Sequence, residues 1–250
     1  MADIRLEVCV DSADGLQAAM EGGADRIELC SALELGGLTP SFGLMKLAAR
    51  MPLPIYAMIR PRPGDFVFDA NDLAIMRDDI AMAREAGLAG VVLGVSRDNG
   101  QLDADMLSIL VDHSYGLGLT LHRAFDCTCP DFSDALETAI DLGFERILTS
   151  GGATSAIGGL PVLERVFDQA RGRISIMPGA GINAGNVGLL SARLPLKEVH
   201  GSCSKPARMT LGMAKDLGFV REGQRETSAE LVLALREALD LTLSRSGATN

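Results

Sequence analysis

Gly23-Ala24-Asp25-Arg26-Ile27-Glu28-Leu29-Cys30 sets the architecture: a glycine ends a helical segment, and three residues later a short β-prone run begins. The same joint returns at Gly87-Leu88-Ala89-Gly90-Val91 and at Gly143-Phe144-Glu145-Arg146-Ile147, so one βα unit is reused along the chain. Outward from these joints, eight runs read as strands: Ile4 to Val10, Arg26 to Cys30, Ile55 to Arg60, Gly90 to Val95, Leu119 to His122, Arg146 to Thr149, Arg173 to Met177 and Glu198 to His200. The segments between them, such as Asn71 to Ala86, Ala104 to Tyr115, Phe132 to Leu142 and Leu160 to Ala170, carry apolar residues at three- and four-residue spacing. A last helix is expected from about Ser228 to Ser244, with Ser228 as its cap and Glu230 in its first turn. Eight such units in 250 residues predict a single (β/α)8 TIM barrel over residues 1–250, closed by that helix and followed by a short flexible tail. An open doubly wound sheet is the alternative, but no Gly-x-Gly-x-x-Gly follows the first strand, so no nucleotide cofactor is expected.

Composition narrows the function. With 47% hydrophobic residues the chain can bury a large core, and its 28 glycines and 10 prolines are too dispersed to form a linker. Its 23 basic and 33 acidic residues leave a net charge of −10, which repels nucleic acid and anionic lipid. The opening Met1-Ala2-Asp3-Ile4-Arg5-Leu6-Glu7 places charges where a signal peptide needs an apolar core, and no run approaches the roughly 18 apolar residues of a membrane span. Five cysteines, an odd number in a chain of this size, suit a reducing cytoplasm and free thiols.

Polar residues within the strands carry the chemistry. In Leu6-Glu7-Val8-Cys9-Val10 and Ile27-Glu28-Leu29-Cys30, period two puts each Glu and its Cys on one face and the aliphatics on the other. Glu7, Cys9, Glu28 and Cys30 then point into the barrel, where a lone carboxylate would cost several kcal/mol. Arg60, His122, Arg123 and His200 stand at strand ends as partners, on the side where barrel enzymes keep their sites. A structural ion-pair network would have the same composition. The loops Thr149-Ser150-Gly151-Gly152 and Met177-Pro178-Gly179-Ala180-Gly181-Ile182-Asn183 carry glycines that let backbone N–H groups approach an anion, or that simply serve tight turns. Cys9 and Cys30 fall at matching points of neighbouring strands, where two sulfurs could share a soft ion such as Cu(I) or be small core thiols. Cys127-Thr128-Cys129 and Cys203 add thiols near the same mouth.

At these residues the chain resembles the CutC family, named for copper homeostasis. The resemblance runs from about Leu6 to Ser202 through Leu6-Glu7-Val8-Cys9, Gly22-Gly23-Ala24-Asp25-Arg26-Ile27-Glu28-Leu29-Cys30, Gly36-Gly37-Leu38-Thr39-Pro40, Met58-Ile59-Arg60-Pro61-Arg62, His122-Arg123-Ala124-Phe125-Asp126, Leu148-Thr149-Ser150-Gly151-Gly152, Met177-Pro178-Gly179 and His200-Gly201-Ser202. It implies a cytoplasmic TIM barrel, often a homo-oligomer, with Cu(I) at Cys9 and Cys30. The chain departs from the family's usual pattern in carrying Cys127, Cys129 and Cys203.

Two functions follow. In the first, Cys9 and Cys30 hold Cu(I). In the second, the barrel mouth is an enzyme site for a small anionic or phosphorylated metabolite, of isomerase, aldolase or lyase type. Glu7 or Glu28 would be its base, His122 an acid or oxyanion donor, and Asp126 a further catalytic group, while Arg60 and Arg62 clamp the anion. Ser150, Gly151, Gly152, Gly179, Gly181, Asn183, His200 and Ser202 would line the ligand.

Overall fold

Glycines 23, 87 and 143, the repeated joint, adopt φ values of +87°, +84° and +78°, a conformation that side chains with a Cβ rarely take. Each turns a helix back into a strand, and the turn is repeated around a parallel barrel. The computed structural model describes residues 4–128, 130–208, 212–219 and 223–247, so Cys129 and the last three residues lie outside it. The barrel strands are β1 (Arg5–Val10), β2 (Arg26–Leu29), β3 (Ile55–Met58), β4 (Gly90–Leu93), β5 (Gly118–Leu121), β6 (Arg146–Thr149), β7 (Ser175–Pro178) and β8 (Glu198–Gly201). Helices α1 (Ala13–Glu21), α2 (Phe42–Ala48), α3 (Ala70–Ala86), α4 (Ala104–His113), α5 (Ser133–Asp141), α6 (Leu160–Ala170) and α7 (Val187–Ser191) follow β1 to β7 in turn. Hydrogen bonds join the strands in the order β7-β6-β5-β4-β3-β2-β1-β8, all parallel. Among the described residues no ladder joins β7 to β8. There the backbones still meet, since a Cβ on Gly179 would lie 3.4 Å from that of His200.

Local chemistry starts the helices where the pattern placed them. Ser12 caps α1 by accepting from the Gly15 N–H at 3.0 Å, and Asp69 caps α3 in a reciprocal box with Asp72. The element after β8 departs from expectation, because a small antiparallel pair, β9 (Ser204–Pro206) with β10 (Arg225–Thr227), precedes the last helix. A short helix, α8 (Met213–Asp216), lies between its strands. Three-residue strands reading Ser-Lys-Pro and Arg-Glu-Thr carry no apolar alternation, so the sequence does not announce them. Helix α9 (Ala229–Gly247) runs past Ser244, so the tail, which begins only after Gly247, falls outside the described residues. Its Val232, Leu235 and Leu239 are fully buried, whereas Leu231 is 42% exposed and faces away.

Two cores result. Leu6, Val8, Ile27 and Leu29 pack outward against the helices, and Cys30, Tyr56, Met58 and Val92 fill part of the barrel interior. Inward-facing glycines make room for the large residues there. A Cβ on Gly118 would lie 2.2 Å from the Tyr56 hydroxyl and 2.9 Å from Glu145 Oε2. Gly118→Ala is therefore expected to lower the stability measured by urea unfolding by about 1–3 kcal/mol, and to cost less in a Tyr56→Val background. Strictly additive losses would show that Tyr56 is not the obstacle.

Candidate functional site in the barrel mouth

The barrel floor is charged. Arg26 donates from Nε to Glu7 in a very short contact and from Nη2 to Glu198 at 2.6 Å, with Met177 Sδ 3.2 Å away. Arg146 donates to the Thr120 hydroxyl at 2.9 Å, pairs with Glu145 at 2.9 Å and lies 3.2 Å from Glu198. Both guanidinium groups sit against the Tyr56 ring, 5.4 and 4.9 Å from its centroid. Arg26, Arg146 and Glu198 were not among the candidates drawn from sequence. The period-two rule would have found Arg26, which shares its face with Glu28 and Cys30, and Glu198, which shares its face with His200.

Above this floor, β1, β2 and β8 bring Cys9, Glu28 and His200 together. One ligand atom from each lies within 4.8 Å of the others, and all three residues are buried. The strand register pairs Cys9 with Glu28, which corrects the expectation that Cys9 and Cys30 stand level. Cys30 lies one step nearer the mouth, and its thiol donates to Glu28 Oε2 at 3.6 Å. His200 donates from Nδ1 to Glu7 Oε1 at 2.8 Å and turns Nε2 toward Glu28 Oε2, 3.8 Å away. Burial alone would raise the Glu7 carboxyl, but Arg26 and His200 hold it down at about 2, so it stays ionised and is a poor base. Burial raises Glu28 despite the His200 charge, and Glu28, Cys9 and Glu7 raise His200 well above its usual value despite its burial. Burial also lifts the Cys30 thiol. Among the described residues, Oε1 of Glu28 has no hydrogen-bond partner.

Arg60 and His122 occupy the far wall, just past the ends of β3 and β5. Arg60 donates to the carbonyls of Leu35 (2.9 Å), Gly37 (3.1 Å) and Gly64 (2.7 Å), tying two rim loops together. Its Nε is buried and unpartnered. The Ala124 N–H donates to His122 Nδ1 at 3.1 Å, which leaves the ring proton on Nε2, buried and without an acceptor. Burial and the Arg60 charge push His122 down to about 3, so this imidazole is a neutral donor at physiological pH. Phe66 packs against both, its ring centroid 4.7 Å from that of His122 and 5.1 Å from the Arg60 guanidinium carbon.

The other sequence candidates lie elsewhere. Asp126 accepts from the N–H groups of Ser150 and Gly152, the hydroxyls of Thr149 and Ser150, and Arg123 Nε, so it fills the glycine loop after β6. Gly151 donates its N–H to Thr149 Oγ1 and Gly179 to the Thr149 carbonyl, both at 2.9 Å. Arg62 does not reach the mouth; it is bound to Asp72, Asp65 and the Val67 carbonyl. The Gly181 carbonyl accepts from Asn183 and Asn186, Asn183 itself is exposed, and the exposed Ser202 lies 3.2 Å from Ser204. Cys127 is exposed, whereas Cys203 is buried on the helix side of β8, near Leu235, and its thiol is pushed up to about 11 by burial.

The profile described as the CutC family matches residues 4–205 of this chain. A family protein CutC of Sinorhizobium medicae is 56% identical over 246 residues, covering 98% of this chain and all of the relative. Another, of Caulobacter vibrioides, is 53% identical and covers 93% of this chain and 97% of its own. The crystal structure of a candidate copper homeostasis protein CutC from Streptococcus agalactiae superposes with a TM-score of 0.76 at 32% identity, over 80% of this chain and 98% of the other.

The depressed Glu7 carboxyl predicts a pH dependence. Glu7 ionises near 2 in the fold and near 4.5 when unfolded, so between those values the unfolded chain binds more protons and stability rises with pH. Its contribution, on the order of 3 kcal/mol, is present above about pH 4.5 and lost as pH falls toward 2. Urea midpoints taken across this range should fall less steeply on acidification for Glu7→Gln than for the unaltered chain; parallel curves would contradict the assignment.

Proposed function

The chain belongs to the CutC family, and on that premise we propose that it serves copper homeostasis by holding Cu(I) inside the barrel at Cys9 and His200, with Glu28 and Cys30 beside them. The observation that carries this reading is the convergence of Cys9, Glu28 and His200 ligand atoms within 4.8 Å in a buried position. A thiolate and an imidazole suit Cu(I), and Cys30 supplies a second sulfur within 3.6 Å of the Glu28 carboxylate. Glu28 is the harder donor and serves better as a charge partner than as the principal ligand. Glu7 holds His200 by Nδ1, the arrangement that fixes a metal-binding imidazole's tautomer and orientation. Copper is cargo in this reading, bound and released without turnover. The free thiols at Cys9 and Cys30 suit a reducing cytoplasm. Exposed Leu189 and Leu231 supply apolar surface for association into a homo-oligomer.

An anaerobic competition titration tests the site. The unaltered protein should take up one tightly held Cu(I) per chain, and Cys9→Ser should abolish that uptake. A Cys127→Ser/Cys203→Ser double variant should retain it, while Glu7→Gln should bind about 10–100-fold more weakly through loss of imidazole support. Equally weak binding by every variant would remove copper from the barrel.

A further inference from the structure

Three buried polar atoms in the mouth lack partners, and a continuous chain of contacts connects their residues. Glu28 accepts from Cys30, whose Sγ would lie 3.0 Å from a Cβ on Gly37. The Gly37 carbonyl accepts from Arg60, Arg60 lies over Phe66, and Phe66 lies against His122. The unpartnered atoms are Glu28 Oε1, Arg60 Nε and His122 Nε2. Buried donors and acceptors are nearly always satisfied, and leaving each of these bare costs about 1–3 kcal/mol. Arg60 is more demanding, because it is 4% exposed and, among the described residues, has no carboxylate within salt-bridge distance. Its hydrogen bonds all go to neutral carbonyls, and the nearest acidic influence, Asp65, acts on it without direct contact and is itself paired with Arg62.

We propose that this wall is a binding site for a small hydroxycarboxylate, distinct in chemistry from the copper site. Its carboxylate would accept from Arg60 Nε and His122 Nε2, and its hydroxyl would donate to Glu28 Oε1. Two N–H donors match the two oxygens of a carboxylate. A phosphoryl group asks for more, and the glycine loop that would supply them has its Ser150, Gly151 and Gly152 N–H groups bound to Asp126 and Thr149. The unpartnered acceptor on Glu28 selects a hydroxy acid over a plain one. The Phe66 ring gives the ligand an apolar wall.

Glycolate, acetate and inorganic phosphate, compared at constant ionic strength made up with chloride, are the probes. Glycolate is expected to raise the melting temperature most, acetate less, and phosphate no more than chloride. His122→Phe should weaken the glycolate effect about tenfold or more, while Cys9→Ser should keep it even where Cu(I) uptake is lost, so these two variants separate the sites although Glu28 borders both. Should His122→Phe not fold, the ring Nε2–H signal of His122 in the unaltered protein, followed by ¹H–¹⁵N NMR, must shift on glycolate addition. Absence of that shift, phosphate binding in preference to glycolate, or an unchanged glycolate response in a folded His122→Phe would overturn the proposal.

Discussion

Glu7 is an ionised carboxylate with no access to water, and the barrel interior is arranged around the need to keep it so. Arg26 from β2 and His200 from β8 meet its two oxygens, one on each side, so the strands flanking β1 are joined by charge as well as by their ladders. Arg26 is then shared with Glu198, and Glu198 with Arg146. The floor closes as an alternating network in which each buried charge faces its opposite. His200 is the member that connects this floor to the mouth. One ring nitrogen is committed below, and the other faces Cys9 and Glu28. The orientation of the candidate copper site is thereby set from underneath.

Which residues face the barrel interior was legible in the sequence, because a barrel imposes two periods at once. Alternation in Leu6-Glu7-Val8-Cys9-Val10 assigns each residue to the interior or to the helix layer, and the structure keeps that assignment, with Leu6, Val8 and Val10 wholly buried against helices. Helix α6 runs over Leu160–Ala170, the span its apolar spacing marks. Register was not legible. Alternation tells which face Cys9 and Cys30 share, but only the ladder shows that Cys9 stands opposite Glu28. Nor could composition show what each arginine would meet. Arg60 and Arg62 differ by two positions, yet one is buried with a free Nε and the other pairs with Asp72 on the outer loop.

Glycines show a related division. Those at the helix–strand joints are required by backbone conformation, whereas Gly90, Gly94 and Gly118 are required by neighbours. A Cβ on Gly94 would come within 2.5 Å of His122 Nδ1, and one on Gly90 within 2.3 Å of the Tyr56 ring. Tyr56 and His122 each occupy space that a side chain on the facing glycine would fill. The positions of Tyr56 and His122 are therefore written partly into glycines in β4, just after it and in β5 that carry no chemistry.

Asp126 gives the mouth a selectivity of its own. Its carboxylate sits in the ring of N–H and hydroxyl donors after β6, a set of groups that would otherwise suit a free anion. Tethered by a few covalent bonds, it is present at an effective concentration that a free anion at ordinary cellular levels does not match. The loop thus carries a permanent internal competitor. An anion of phosphate type would have to displace Asp126 before it could use these donors.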